Sequence, residues 1–152
     1  MTKEDNAVLR GDIKGIVFDL DGTLADTSPD IAAALNAADP ESEIDMLMGI
    51  GAAPEGVITA TALRGLDAPF EGRLVFKNEG HRERAEEMIE GDIERIWSRD
   101  ELCSTEDSIF IGTGVCEGRT KGVEDLGNGS YSVHSEIIDV KSKEHYFVST
   151  TI

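Results

Sequence analysis

Three carboxylates stand where they could do phosphate chemistry. Asp19 and Asp21 follow an apolar stretch, in the sequence Asp19-Leu-Asp-Gly-Thr23, and Glu55 stands beside Pro54 after a glycine turn. A carboxylate can attack phosphorus or bind Mg²⁺, and a second carboxylic acid can protonate the leaving oxygen. The residue types therefore predict phosphoryl transfer, a metal site, or both.

Two strand–helix units are predicted to position these carboxylates. The first has a buried strand over Asp12–Leu20 and a helix that begins at Ser28-Pro29 and ends near Ala38. In the second, the apolar run Ile44–Met48 predicts another buried strand.

The second unit continues through the turn Gly49-Ile-Gly51 into a helix over residues 54–64, with Glu55 in its first turn. Backbone N–H groups at a helix start attract a phosphate, and Glu55 could hold a divalent cation beside it. A purely structural alternative is that Glu55 only complements the helix dipole.

The later sequence alternates between short apolar runs and charged helical segments. Strands are predicted over 73–77, 108–111, 133–140 and 145–151, a helix over 81–89, a helical turn near Trp97, and a capping box over Ser98–Glu101. The sequence therefore predicts an α/β fold: a layered α/β sandwich with a mainly parallel sheet and a C-terminal β-hairpin. Gly112-Thr-Gly114 could cradle a phosphate or simply form a strand-end turn.

Composition limits the partners. The 152 residues include 31 acidic and 14 basic side chains, for a net charge of −17. This charge argues against nucleic acid and anionic membranes, and an anionic substrate would need a bound cation. We expect no signal peptide, no membrane span and a cytoplasmic location. The two cysteines lack metal-site spacing and are expected to be idle thiols.

Residues Lys14–Leu35, with the Asp-x-Asp-Gly-Thr motif after an apolar strand, resemble the opening of haloacid dehalogenase superfamily phosphatases, especially the phosphoglycolate phosphatase type. The resemblance implies that Asp19 is the nucleophile, that Asp21 is the general acid/base, and that Mg²⁺ binds both. The later lysine and the closing acidic motif of that superfamily are missing here.

From about Asp45 onward the chain resembles the C-terminal part of class II fructose-1,6-bisphosphatases. The matching motifs are Met46–Val57, Ala62-Leu63-Arg64, Gly72-Arg-Leu74, Ile109-Phe110, Thr113-Gly-Val115 and His134-Ser135. The resemblance implies that Glu55 is a catalytic metal ligand. Ala52 occupies the place of a substrate-contacting glycine, and Asp30 is the one acid retained from an upstream Asp-Gly-Asp motif. The N-terminal half of that family, which supplies most of the metal ligands, is absent.

The two resemblances overlap near Asp30 and together predict a chimera. Its parts are a haloacid-dehalogenase-like region over 1–38 and a fructose-1,6-bisphosphatase-like region over 39–152, joined in one folded unit. Substrate contacts are predicted at Thr23, Asp30, Gly51 and Ala52, and metal ligands at Asp19, Asp21 and Glu55.

Three functions stay open from the sequence. The first is a phosphatase of the class II fructose-1,6-bisphosphatase type, using Mg²⁺ or Mn²⁺ to activate a water molecule and converting fructose 1,6-bisphosphate to fructose 6-phosphate. The second is a haloacid-dehalogenase-type phosphatase that forms an Asp19 phosphoenzyme. The third is an inactive chimera or fragment. Such a chain could form a homodimer through the surface that the missing half would otherwise cover.

Overall fold

The structure, a computed structural model, describes residues 28–152, and describes side chains from Ile31 onward. The predicted strand over 12–20 and the Asp19–Thr23 motif lie outside these residues. Within them the helices are α1 (Ser28–Ala37), α2 (Ala53–Gly65), α3 (Glu79–Met88) and α4 (Arg99–Leu102). The strands are β1 (Glu71–Gly72), β2 (Trp97–Ser98), β3 (Ile109–Thr113), β4 (Glu124–Gly127), β5 (Ser130–Asp139) and β6 (His145–Thr151).

Strand β5 is the centre of the larger sheet. Strands β3, β4 and β6 each pair with it, and all three pairings are antiparallel. The short strands β1 and β2 form a separate antiparallel pair, with Glu71 opposite Ser98. The predicted C-terminal hairpin is confirmed as β5 and β6, with Ile138 opposite His145.

Two tight turns explain why β4 and β6 run antiparallel to β5. Asn128 and Gly129 join β4 to β5, and their φ angles of 58° and 78° suit the type I′ turn that an Asn-Gly pair favours. Between β5 and β6, the Asp139 carboxylate accepts hydrogen bonds from the N–H groups of Lys141 and Ser142, both at 2.9 Å. Connections this short can join only antiparallel neighbours.

The core lies between the two longer helices and one face of this sheet. Leu35 of α1 and Leu63 of α2 pack with Phe110 of β3 and Ile138 of β5, and Ile138 is fully buried. Burial of a side chain of this size contributes roughly 1.5–3 kcal/mol relative to leaving it exposed. The prediction of a layered α/β fold therefore holds in outline.

The prediction of a mainly parallel sheet is wrong, since every strand pairing within residues 28–152 is antiparallel. The predicted strand over Ile44–Met48, which was to supply parallel pairing, is outside any helix or strand. An apolar run forms a strand only where a neighbouring strand can take up its backbone hydrogen bonds. None of the described strands lies beside this one.

Smaller corrections concern the middle of the chain. The strand predicted over 73–77 is irregular, and only the preceding Glu71–Gly72 is paired. The helical turn predicted near Trp97 is instead strand β2. The capping box is confirmed at Glu101, whose carboxylate accepts from the Ser98 N–H at 2.9 Å and hydroxyl at 2.7 Å. These bonds, with Arg95, lower the pKa of Glu101 to about 2.

A buried carboxylate links three parts of the fold. Glu136 of β5 is 2% exposed and accepts hydrogen bonds from Nε and Nη2 of Arg119, both at 2.7 Å. Nε2 of His145 lies 2.8 Å from the same carboxylate. Arg119 also donates from Nη1 to the Asn36 side chain at 2.6 Å. The loop between β3 and β4 is thereby tied to the sheet and to α1.

We predict that Gly65→Ala destabilises the protein by about 1–3 kcal/mol. A methyl group at Gly65 would overlap the Ile138 side chain, which is buried in the central strand and has no room to move. The matched control is Gly56→Ala in the same helix, where a methyl group meets nothing within 4 Å. That change should stabilise by about 0.5–1 kcal/mol. Urea denaturation of the two variants checks both signs, and equal effects would contradict this packing.

We predict that Glu136→Ala costs about 3 kcal/mol, because it leaves the half-enclosed guanidinium of Arg119 without its carboxylate. The control is Glu94→Ala, which removes the exposed ion pair with Arg82 (2.6 Å) and should cost less than about 1 kcal/mol. Thermal unfolding monitored by circular dichroism measures both. If Glu136→Ala lowers stability no more than Glu94→Ala does, the hydrogen bonds of Glu136 contribute little to the stability of the fold.

Candidate functional site

The candidate site is the N-terminal end of helix α2. Ala52 precedes the helix in an extended conformation (φ −80°, ψ 163°), and Pro54 and Glu55 lie in the first turn. Proline is favoured there because its fixed φ suits the helix and its missing N–H is not needed for helix hydrogen bonding. The local sequence thus fixes where the helix begins and places Glu55 at its open end.

Glu55 is half-buried, and its carboxylate folds back over the helix start. Oε2 accepts a hydrogen bond from the N–H of Ala52. This is the carboxylate half of a capping arrangement, and it also complements the positive end of the helix dipole. Glu55 therefore has the structural role considered as an alternative, which is to stabilise the start of helix α2. Its other oxygen, Oε1, accepts no hydrogen bond from the residues that the structure describes.

Two predicted substrate contacts adjoin Glu55. Gly51 and Ala52 are both exposed, and a methyl group built on Gly51 would lie 3.7 Å from Glu55 Oε2. The glycine thus leaves open space directly over the carboxylate. Gly51, Ala52 and Glu55 therefore lie side by side at the helix start, and their roles in binding substrate and metal stay predictions.

Asp30 lies in the first turn of α1, but its side chain is not among those described. Helices α1 and α2 pack together through Leu35 and Leu63, so the structure brings the two helices side by side. Whether the carboxylate of Asp30 reaches the Glu55 surface stays a prediction.

Asp19, Asp21 and Thr23 lie outside the described residues, so their convergence with Glu55 also stays a prediction. Within residues 28–152, no group of three or more histidine, cysteine or acidic side chains could hold a metal ion. One carboxylate is a poor Mg²⁺ site, because this ion is held by several oxygen ligands. Glu55 and its described neighbours therefore do not make a metal site by themselves.

The other predicted phosphate contacts have structural roles. Gly112 and Thr113 belong to strand β3, and the Thr113 hydroxyl lies 2.9 Å from that of Ser135. A methyl group at Gly114 would overlap Lys121 and Thr120 of the following loop. Close packing, and not a phosphate cradle, explains this glycine pair. Arg64 of helix α2 donates a hydrogen bond to the carbonyl oxygen of Cys103.

An open cavity of about 370 Å³ lies away from Glu55, among Cys116, Lys121 and His134. His134 Nδ1 lies 2.7 Å from the Ser149 hydroxyl, and Nε2 lies 3.2 Å from that of Ser132. Both ring nitrogens of His134 therefore lie within hydrogen-bonding distance of serine hydroxyls. Cys116 is exposed and Cys103 buried, and both are free thiols.

Sequence reasoning missed the link between Arg119 and Glu136. The signal was a glutamate on the inward side of the strand, in line with Ile138. A buried carboxylate needs a charged or hydrogen-bonding partner, so a nearby arginine could have been sought. Separately, no helix of the described residues is long and apolar enough to span a membrane.

Comparison with known proteins gives one consistent family. Residues 24–152 match the family model for bacterial fructose-1,6-bisphosphatase, glpX-encoded. A D-fructose 1,6-bisphosphatase class 2/sedoheptulose 1,7-bisphosphatase of Synechococcus sp. (strain JA-2-3B'a(2-13)) is 39% identical over 138 residues, covering 82% of this chain and 39% of the relative. One from Acaryochloris marina is 36% identical over 137 residues, with the same two coverages.

The match begins at residue 24, so it includes helix α1 as well as the region from Asp45 onward. These comparisons give no support to the haloacid dehalogenase resemblance or to a chimera. The chain spans about two fifths of the length of the curated relatives that it matches. Through residues 24–152, the chain belongs to the family of bacterial, glpX-encoded fructose-1,6-bisphosphatases.

Proposed function

We propose that this chain takes part in hydrolysing a sugar bisphosphate, fructose 1,6-bisphosphate to fructose 6-phosphate, in the manner of class II fructose-1,6-bisphosphatases. The observation that carries this proposal is the family match over residues 24–152, which includes the helix start that presents Glu55. Carbohydrate metabolism and a cytoplasmic location, expected from the sequence, fit such a phosphatase. The names of the relatives add sedoheptulose 1,7-bisphosphate as a second substrate to test.

We further propose that catalysis depends on Mg²⁺ or Mn²⁺ bound in part by Glu55. A protein of net charge −17 repels a bisphosphate, so a cation is needed to bring the substrate to an acidic site. Further ligands must come from outside the described residues. Asp19 and Asp21 are the candidates within this chain, and Thr23, Asp30, Gly51 and Ala52 are the proposed substrate contacts.

The helix start supports this role in two ways. The hydrogen bond from the Ala52 N–H holds one oxygen of Glu55 and so limits the orientations of its carboxylate. Gly51 keeps that surface clear of side-chain atoms. A ligand held in one orientation loses little conformational freedom when it binds, which favours binding.

Two alternatives have their own supporting observations. The Asp19-Leu-Asp-Gly-Thr23 motif favours a haloacid-dehalogenase-type phosphatase with Asp19 as the nucleophile. That motif precedes the matched region, so the family match does not bear on it. The coverage of only 39% of the Synechococcus relative favours a chain that is inactive alone.

We predict that Glu55→Gln weakens Mn²⁺ binding at least about tenfold and lowers Mn²⁺-dependent hydrolysis of fructose 1,6-bisphosphate in parallel. The matched control is Glu79→Gln, because Glu79 is also an acid in the first turn of a helix, α3. Electron paramagnetic resonance of free Mn²⁺ gives the affinity, and phosphate release gives the rate. Thermal unfolding of both variants separates a lost ligand from a lost helix cap.

Asp19→Asn and a second substrate, 2-phosphoglycolate, distinguish the alternatives. If Asp19→Asn abolishes turnover and an aspartyl-phosphate can be trapped, the hypothesis of a haloacid-dehalogenase-type phosphatase replaces the proposal of a class II fructose-1,6-bisphosphatase-type phosphatase. If the wild-type chain releases phosphate from none of these substrates with Mg²⁺ or Mn²⁺, the chain is inactive alone. Equal Mn²⁺ affinities of Glu55→Gln and Glu79→Gln would remove Glu55 from the metal site.

A further inference from the structure

Strand β6 forms one edge of the larger sheet. Its one strand partner within residues 28–152 is β5, and the pairing runs without a register shift along its whole length. Six of its seven residues are exposed and Val148 is half-buried, so little of the described chain covers it. The strand contains no proline, no lysine and no bulge, which are the features that usually prevent an edge strand from pairing further.

The hydrogen bonds to β5 show which backbone groups of β6 face away from the sheet. Tyr131 and Ile152 exchange two hydrogen bonds of 2.9 Å, and the Asp139 N–H donates to the Glu144 carbonyl oxygen at 2.9 Å. Because bonded pairs alternate along an antiparallel ladder, the odd-numbered residues of β6 direct their N–H and C=O groups outward. None of these groups has a hydrogen-bond partner among the residues that the structure describes. The outward residues are His145, Phe147, Ser149 and Thr151.

This free edge is complementary to itself. When two copies of β6 lie antiparallel with Val148 opposite Val148, every outward residue faces an outward residue of the other copy. His145 then pairs with Thr151, and Phe147 pairs with Ser149, in both directions. Each such pair exchanges two hydrogen bonds, so a single two-fold axis satisfies all the outward N–H and C=O groups of both copies.

Charge favours a second copy at this edge over other surfaces of the molecule. The chain carries a net charge of −17, yet residues 145–152 contain no aspartate, glutamate, lysine or arginine. Most symmetric contacts between two such chains would bring identical acids together, as helix α3 would with its four glutamates. Strand β3 also has a free side within the described residues, but it is shorter and follows the acids Glu106 and Asp107.

The side chains of β6 suit the same register. Tyr146 is 42% exposed and Phe147 is 58% exposed, on opposite faces of the strand. With Val148 at the axis, the two copies of Phe147 become diagonal neighbours on one face, at a spacing that aromatic rings can bridge. On the other face, Tyr146 lies opposite Thr150, next to the pair of Val148 side chains. The contact therefore covers apolar groups on both faces and opposes no like charges.

We propose that this chain forms a symmetric dimer in which two copies of β6 pair antiparallel about Val148 and join two four-stranded sheets into one. The dimer does not depend on the proposed phosphatase function. Pairing through one strand buries less surface than a standard protein interface, so we expect a dissociation constant of about 1–100 μM.

Sedimentation equilibrium of the full chain measures this dimer, and a charge exchange at its axis tests the register. Val148→Asp places two carboxylates opposite each other, and Val148→Lys places two ammonium groups there. Each variant alone should bind itself at least about tenfold more weakly than the wild type binds itself. A mixture of the two variants should form a heterodimer, because opposite charges then meet at the axis, and this recovery also shows that both variants fold.

The matched control is Ile111→Asp, at the centre of the other edge strand, where the side chain is 56% exposed. It should leave the dimer unchanged. Raising NaCl from about 0.1 M to about 1 M should tighten the wild-type dimer, because the screening length falls from about 10 Å to about 3 Å and the two acidic chains repel less.

Four outcomes would overturn the proposal. The first is a full chain that stays monomeric at about 1 mM, well above the expected dissociation constant. The second is a dimer that Ile111→Asp disrupts as strongly as Val148→Asp. The third is a mixture of the Val148 variants that associates no better than either variant alone. The fourth is a dimer that dissociates at high salt, which would indicate an interface held by ion pairs.

Discussion

The contact between Gly65 and Ile138 is the constraint on which the described fold depends. It joins the end of α2 to the central strand of the sheet at a distance that excludes even a methyl group. Close approach there lets Leu63 and Leu35 reach the same side of the sheet as Phe110 and makes one core from two helices and two strands. The orientation of α2, and with it the direction in which Glu55 faces, follows from this packing.

The elements that depend on local chemistry could be predicted. Ser28-Pro29 and Pro54-Glu55 indicated the starts of α1 and α2 within a residue or two, and the closing hairpin followed from two apolar runs around a polar turn. The Asn128-Gly129 pair is an equally clear signal for a hairpin turn, and so for strand β4, but no strand was predicted there. These features need only neighbours in sequence, so a sequence contains enough information to locate them.

Pairing between strands could not be predicted in the same way. The run Ile44–Met48 has the composition of a buried strand, but composition does not say whether a neighbouring strand exists. The mainly parallel sheet was inferred from strand–glycine–helix units, of which this run opens one, and it was wrong for the described residues. The candidate site likewise has a part that local sequence predicts and a part that depends on residues distant in the chain. Its helix start was predictable from Pro54 and Glu55. The link from Glu136 through Arg119 to Asn36 was not, because one of its hydrogen bonds joins residues 83 positions apart.

The order of strands in the sheet also bears on how the chain folds. Strands β4, β5 and β6 are consecutive and joined by turns of a few residues, so their pairing closes short loops and loses little chain entropy. The β4–β5 and β5–β6 hairpins are therefore expected to form first and rapidly. Docking of α1 through Asn36 and Arg119 must close a far longer loop, and we expect it to be the slow, late step. The sheet is then the surface on which helix α1 is assembled.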